Sequence, residues 1–436
     1  MAYLQPIFDI AEICAQRGIQ HAVLCPGSRC APLTLAFANH QSITSHTFSD
    51  ERSAAFIGMG LAQQTKSATV LVCTSGSAAF NFSPAVAEAY FQQIPLLVFT
   101  ADRPAEWIDQ WDGQTIRQEN IFGTHVKQSY NLPVEYTHTD SVWHIQRIVN
   151  EAISLAHTFP YGPVHINVPL REPLYPQEGE KIKFSKKVKI VEPELAQTDL
   201  TKESKTKFTN FLAGFTRILV IAGQQENQPT LVKAVTRFCD VHQAALIGDV
   251  ISNFHSAPTA IRHADVFLAH APESIKATLR PDLIITFGKS VISKHLKQFL
   301  RKYGPQQHWH IQPSGLVPDP FQSLTQTIHC DPKSFFTSLS SAPAITKFEL
   351  QKKTNYTRLW LAEEHRIQRS YQNYFSLTGF HELQAVKVVL EALPARCNLH
   401  VANSMSVRYV NLIGLTEKQK GIHAYANRGT SGIDGC

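Results

Sequence analysis

Residues 48–60 read FSDERSAAFIGMG, an acid at the head of a segment with almost no polar surface behind it. After Glu51 and Arg52 come Ala54, Ala55, Phe56, Ile57, Gly58, Met59 and Gly60, without the apolar–polar alternation of a surface helix. Glu51 is either an ordinary first-turn acid favoured by the helix dipole, or a carboxylate delivered to the rim of a buried place, where it can share a proton with a ligand. Three other segments raise a matching question. CPGSR (25–29) follows an apolar run and opens a helix, so backbone N–H groups and Arg29 converge where an anion could bind. CTSGSA (73–78) has the same setting, with residues small enough to let a ligand reach the backbone. TADRP (100–104) ends a strand with an acid–base pair before a helix-breaking proline. Each has a plain alternative: a tight turn with a solvent-facing arginine, a helix N-cap, a surface ion pair.

Weaker candidates lie downstream. WDGQTIRQ (111–118) is an irregular polar segment that would suit a binding loop or a plain connection. Lys294 follows a strand end, where an exposed helix lysine is the default. Ser404 and Arg408 in NSMSVR share one face if helical, and Arg428 ends a strand beside Gly429. No metal-ligand spacing, nucleophile elbow or lysine-containing phosphate loop is present, and His308 and His310 merely share one face of a strand.

The elements that must position these groups follow one rhythm. Near-continuous apolar strands (His21–Cys25, Ser45–Phe48, Thr69–Cys73, Pro95–Thr100, Pro163–Val168) alternate with helices, which predicts α/β units with parallel sheets covered on both faces. Ligands of such sheets collect at the carboxyl ends of the strands, where the polar and glycine residues concentrate here. Boundaries are expected at 1–180, 190–345 and 350–436, three units in a chain of 436 residues, the last with too few strands to close a sheet. The basic run KIKFSKKVK (181–189) reads as a solvated linker rather than a nucleic-acid arm. At 43% hydrophobic and 17% charged residues, with no apolar run of roughly 18, the composition points to a soluble chain without membrane spans. Eight cysteines without a C-x-x-C pair read as reduced thiols of a cytosolic protein, and the net charge of +6 would suit small anionic substrates.

Taken together, CPGSR-x-x-PL, SDERSAAFIGMGLA, VCTSGSAA, TADRP, Q-x-IRQ, NS-x-x-VR and NRG-x-SGIDG resemble the 2-succinyl-5-enolpyruvyl-6-hydroxy-3-cyclohexene-1-carboxylate (SEPHCHC) synthases of menaquinone biosynthesis, the MenD family. The resemblance runs from about residue 20 to the end. It implies a transferase with three α/β domains (pyrimidine-binding, central and diphosphate-binding), using thiamine diphosphate with Mg²⁺ or Mn²⁺. Such an enzyme decarboxylates 2-oxoglutarate and adds the succinyl unit to isochorismate, with active sites between subunits of a homodimer or dimer of dimers.

Residue by residue, the resemblance makes Glu51 the catalytic acid that hydrogen-bonds the cofactor's aminopyrimidine. Thr74, Ser75, Asn403 and Ile433 match further cofactor-binding positions, Ile433 as the apolar prop of the bent cofactor. Ser28, Arg29, Arg103, Gln114, Lys294, Ser404, Arg408 and Arg428 match positions around two dicarboxylate substrates, which explains the run of cations. Ala54, Ala55, Gly58 and Gly60 would let the Glu51 helix press on a partner subunit. Gly113 stands where the family often has asparagine. The family's acidic Gly-Asp motif and downstream asparagine have no counterpart before Cys436. Metal and diphosphate ligands are therefore expected beyond residue 436, with little turnover from this chain and no metal ligand within it. Two other readings stand beside this one: a different thiamine-dependent carboligase, such as an acetohydroxyacid synthase relative, and a non-catalytic metabolite-binding module.

Overall fold

The computed structural model describes residues 2–177, 180–194, 198–340 and 347–432. Contacts divide the chain into two compact units, Met1–Leu195 with Gly429–Cys436, and Ala196–Arg428.

In the first unit six strands form one parallel sheet: β1 (His21–Leu24), β2 (Thr44–Thr47), β3 (Thr69–Cys73), β4 (Leu96–Asp102), β5 (Ser129–Asn131) and β6 (Pro163–Pro169). Their order is β2-β1-β3-β4-β6-β5. The central strands β3, β4 and β6 are buried along their whole length, as continuous apolar runs covered on both faces must be. The chain runs outward from β1 to β2 and then returns to β3 on the other side, so the β1/β3 boundary is a topological switch point. That is where the crevice of an open α/β sheet receives its ligand. CPGSR leaves β1 there and CTSGSA leaves β3.

The bareness of the Glu51 helix has a local cause. In helix Glu51–Thr65, Ala54 and Ala55 are fully buried, and a Cβ on Gly58 would lie 2.4 Å from Leu71 Cδ2 of β3. The small residues bring the helix down onto its own sheet, which corrects the expectation that Ala54, Ala55 and Gly58 serve a partner subunit. Only Gly60 has open space around it.

The run 181–189 is no solvated linker either. Ile182, Phe184, Val188 and Ile190 pack against the core of the first unit. Its backbone is held by side chains of two helices: Ser185 N–H donates to Asp9 (2.8 Å), and Asn150 Nδ2 donates to the Lys189 carbonyl (2.8 Å). The alternation of Ile and Phe with lysine was an extended-chain signal that the charge count concealed.

In the second unit β7 (Ile218–Ala222), β8 (Ala245–Gly248), β9 (Ala260–Ile261), β10 (Leu283–Phe287), β11 (Gln307–Gln312) and β12 (Gln326–His329) form a parallel sheet ordered β12-β11-β10-β7-β8-β9. Its switch point, β7/β10, is occupied by backbone. A Cβ on Gly223 would lie 2.3 Å from the Lys289 carbonyl oxygen, and Gln224 N–H and Lys289 N–H donate across the gap to Ser290 and Gln224. His308 and His310 both hydrogen-bond Thr286 Oγ1, so that pair is structural. Beyond helix Lys347–Leu377, β13 (Arg396–Val401) and β14 (Gly421–Ala426) pair only with each other among the described residues.

Candidate active site

The predicted residues fall into two sets, one in each unit. In the first unit Asp50 caps the Glu51 helix, accepting from Ser53 N–H at 2.7 Å. The cap position is therefore taken, and Glu51 occupies the first turn with a carboxylate that is only partly exposed and receives Asn81 Nδ2 at 3.4 Å. Burial, then the charge of Glu51, pushes the Cys25 thiol at the end of β1 up to about 12. Burial chiefly, with smaller contributions from the neighbouring thiols and Glu51, also raises Cys73 at the end of β3. Glu51 thus stands over the β1/β3 switch point.

The CPGSR and CTSGSA loops meet there. A Cβ on Gly27 would lie 2.5 Å from Thr74 Cβ, so only glycine permits the approach. Thr74 is buried, and Ser75 is buried with a hydroxyl that has no hydrogen-bond partner. Gly76 adopts φ +87°, and a Cβ there would press on the Gln114 backbone at 3.3 Å. An unpaired buried hydroxyl beside a turn that excludes side chains is what a polar ring approaching the backbone needs. These residues fit the pyrimidine half of thiamine diphosphate.

The two candidate cations of this unit, Arg29 and Arg103, are largely covered. Arg29, 7% exposed, donates to the Leu170 carbonyl at 2.8 Å and pairs with the exposed Glu172 at 3.3 Å. Burial, then the charge of Arg103, lowers its pKa. Two guanidinium groups that repel one another make a place where an anion relieves strain. Arg103 holds Asp112 (2.9 Å) and the Gly113 carbonyl (2.8 Å), which folds the WDGQ loop back over it. Asp102 is not its surface partner: it is 5% exposed, and burial raises its pKa. Ser28 and Gln114 are exposed at the same edge. Trp107 and Trp111 beside them are exposed, Trp111 completely.

In the second unit Lys294 opens helix Lys294–Lys302 and is exposed, while Lys297 is the lysine that feels Asp249 and Arg428. Asn403 is buried and donates to the Asn427 carbonyl. Ser404 precedes helix Met405–Ile413 at φ +65°, a left-handed conformation costly for serine. Arg408 is exposed on that helix, its guanidinium beside Met405 Sδ at 3.7 Å. The Arg428 carbonyl accepts from Ser290 Oγ. Ile433 lies outside the described residues. Among those residues no three His, Cys, Asp or Glu side chains group to hold a metal.

Three functional candidates escaped sequence reading. Gln118, the last residue of Q-x-IRQ, accepts from Gly76 N–H at 2.7 Å. Glu88, an acid amid the apolar run VAEAYF, receives Gly429 and Thr430. Asp249, 5% exposed, receives the backbone N–H groups of Ile292 and Ser293 just before Lys294. A buried acid in an apolar run was the available signal for Glu88, and Gln118 ends the quoted Q-x-IRQ motif; nothing local marked Asp249.

Known families match this arrangement. Residues 8–122 match the family model described as "Thiamine pyrophosphate enzyme, N-terminal TPP binding domain", and residues 189–401 match "Middle domain of thiamine pyrophosphate". A 2-succinyl-5-enolpyruvyl-6-hydroxy-3-cyclohexene-1-carboxylate synthase of Cytophaga hutchinsonii is 41% identical over 99% of this chain and 75% of its own length. Proteins of the same name from Flavobacterium johnsoniae (37% identical, 98% of this chain, 74% of theirs) and Porphyromonas gingivalis (35%, 99%, 73%) are similar throughout. With a thiamine pyrophosphate-binding domain match over residues 8–122 and identity of this extent, the chain belongs to the 2-succinyl-5-enolpyruvyl-6-hydroxy-3-cyclohexene-1-carboxylate synthase family of thiamine pyrophosphate enzymes.

Proposed function

We propose that the chain serves thiamine-diphosphate-dependent decarboxylation of 2-oxoglutarate and addition of the succinyl unit to isochorismate. The observation that carries this reading is Glu51 over the β1/β3 switch point, with the unpaired Ser75 hydroxyl and the Arg29–Arg103 pair on the same strand-end rim. Bound thiamine diphosphate supplies the carbon nucleophile and the electron sink that 2-oxo-acid chemistry requires. Glu51 would hold or release a proton at the pyrimidine ring nitrogen. Thr74 and Ser75 would orient the ring edge, and Asn403 and Ile433 would complete the cofactor contacts. Arg29 and Arg103, with Ser28 and Gln114, would fix substrate carboxylates by charge-assisted contacts. Lys294, Ser404, Arg408 and Arg428 match further positions for the same chemistry.

Several wider readings belong with this one. Residues 1–180, 190–345 and 350–436 would be the pyrimidine-binding, central and diphosphate-binding portions; the separate β13–β14 pair favours a third sheet. Mg²⁺ or Mn²⁺ accompanies the cofactor, and the protein would act as a homodimer or dimer of dimers. Among the described residues no helix is long and apolar enough to cross a membrane. The described cysteines are all free, which suits a reducing, cytoplasmic setting.

The test is product analysis with thiamine diphosphate and Mg²⁺. Carbon dioxide release from 2-oxoglutarate should be slow from residues 1–436 alone, and an adduct should form only when isochorismate is added. Preference for pyruvate as donor would overturn the assignment in favour of another carboligase.

A further inference from the structure

The Gln118 side chain is 1% exposed and uses every hydrogen-bonding group it has. Its Oε1 accepts from Gly76 N–H at 2.7 Å, and its Nε2 donates to the Ala101 carbonyl (3.0 Å) and to Asn167 Oδ1 (3.1 Å). Asn167, 2% exposed, carries the connection onward. Its Oδ1 also accepts from Thr100 Oγ1 (2.9 Å), and its Nδ2 donates to Asp102 Oδ2 (2.8 Å) and Asn131 Oδ1 (2.9 Å). Asp102 Oδ1 in turn accepts from Arg103 N–H at 2.8 Å. A continuous buried line therefore runs Gly76–Gln118–Asn167–Asp102–Arg103. One end is the turn that carries the unpaired Ser75 hydroxyl, and the other is the residue whose charge helps lower the Arg29 pKa.

This line has a physical consequence. Gly76 N–H belongs to a turn at φ +87°, and the Gln114 backbone lies against it, 3.3 Å from where a Cβ would stand. The Gln118 amide supplies the fixing contact, from the same loop that folds over Arg103. In a buried network each amide is oriented by its neighbours, so a shift at one end is felt at the other.

We infer that Gln118 and Asn167 are positioning residues. They hold the Ser75–Gly76 turn and the Arg103 backbone in fixed register, so that the cofactor side and the carboxylate side of this unit address one reacting centre. Neither touches a substrate; Gln118 acts through Gly76 and Asn167 through Asp102. The inference rests on the cofactor reading above.

The experiment separates the two. Gln118→Met keeps the length and volume of the side chain and removes the hydrogen bonds. Val149→Ala, in the fully buried face of helix Thr139–Ala156, serves as a control for general loss of stability. Hydrogen exchange over residues 73–78 is read on the protein without cofactor, and thiamine diphosphate affinity by calorimetry with Mg²⁺. At equal distance from each melting temperature, Gln118→Met should speed exchange of the Gly76 amide by about tenfold, the loss of one ordinary buried hydrogen bond. It should weaken the cofactor by a similar factor, whereas Val149→Ala changes both less than about twofold. Asn167→Leu should raise the KM for 2-oxoglutarate about tenfold with a smaller effect on kcat. Equal exchange in Gln118→Met and Val149→Ala would overturn the positioning role. Unprotected Gly76 in Gln118→Met alongside a parent protein that binds no thiamine diphosphate would instead overturn the cofactor reading and leave the register intact.

Discussion

The carboxylate of Glu88 closes on the backbone of Gly429, 341 residues away in the chain. Oε1 accepts from Gly429 N–H at 2.7 Å and from Gln92 Nε2 at 2.8 Å, while Oε2 accepts from Thr430 N–H and Oγ1. A Cβ on Gly429 would lie 2.8 Å from the Glu88 carbonyl oxygen, so the glycine is needed for the approach. Gly429 and Thr430 are thereby anchored to helix Ser83–Gln92 by a carboxylate at 2% exposure.

Removing that carboxylate takes the acceptor from the part-buried Gly429 and Thr430 donors. Glu88→Ala should cost about 3 kcal/mol of unfolding free energy, read from urea denaturation. Glu88→Gln keeps one acceptor oxygen and should lose about half as much. A loss below about 0.5 kcal/mol for the alanine variant would mean that the anchor carries no load.

Glu51 lies at the rim with a single weak side-chain partner, so its removal should leave folding unchanged. Glu51→Gln should lower carbon dioxide release from 2-oxoglutarate by about 10²–10⁴-fold, the usual range for a lost general acid–base group. The melting temperature should stay within about 1 °C. Retained activity in this variant would remove Glu51 from the chemistry.

How far these features could be read in advance depended on whether the signal was local. The parallel α/β character of both sheets followed from apolar strands such as TVLVC and ILVIA, because burial on both faces writes itself into composition. Glu51 and the strand-end loops were visible because glycine, serine and arginine concentrate where apolar runs stop. Two expectations failed for the same reason. Small residues on the Glu51 helix signal close approach, but not to what; Leu71 of the helix's own sheet is the answer. The strap 181–189 looked solvated because its lysines dominate the count, while Phe184 sits 4.7 Å from the His40 ring, edge to face. The roles of Gln118 and Asn167 were illegible because their partners lie far off in sequence and only the folded chain brings them together.

Asp249 gives a pH signature with a definite sign. Burial raises its pKa from the ordinary 3.8 to about 6, against the opposing backbone N–H bonds of Ser293 and Ile292, with Asp265 raising it further and Lys297 lowering it. The folded state therefore holds a proton that the unfolded chain has released between about pH 4 and 6. Where the folded state binds more protons, stability falls as pH rises, here by about 3 kcal/mol across that window. Asp249→Asn keeps an acceptor oxygen for both N–H groups and removes the titration. Urea unfolding at pH 4, 5, 6 and 7 should show the parent losing stability relative to Asp249→Asn as pH rises. Parallel curves would place the Asp249 pKa at its ordinary value.

Arg408 separates a binding role from a structural one. Its side chain is exposed, and among the described residues its hydrogen-bonding contact is the weak one to Met405 Sδ, on its own helix. Exposed residues without buried partners change stability by no more than about 0.5 kcal/mol when truncated. A guanidinium that grips a substrate carboxylate contributes about 1.5–3 kcal/mol, or roughly 10- to 150-fold in KM. Arg408→Ala should therefore raise the KM for 2-oxoglutarate within that range while the melting temperature holds. Arg408→Lys should recover only part of the loss, because an ammonium restores the charge but not the two-pronged geometry. A fallen melting temperature with unchanged KM would make Arg408 a structural residue, and the exposed face of helix Met405–Ile413 would then have no claim on the substrate.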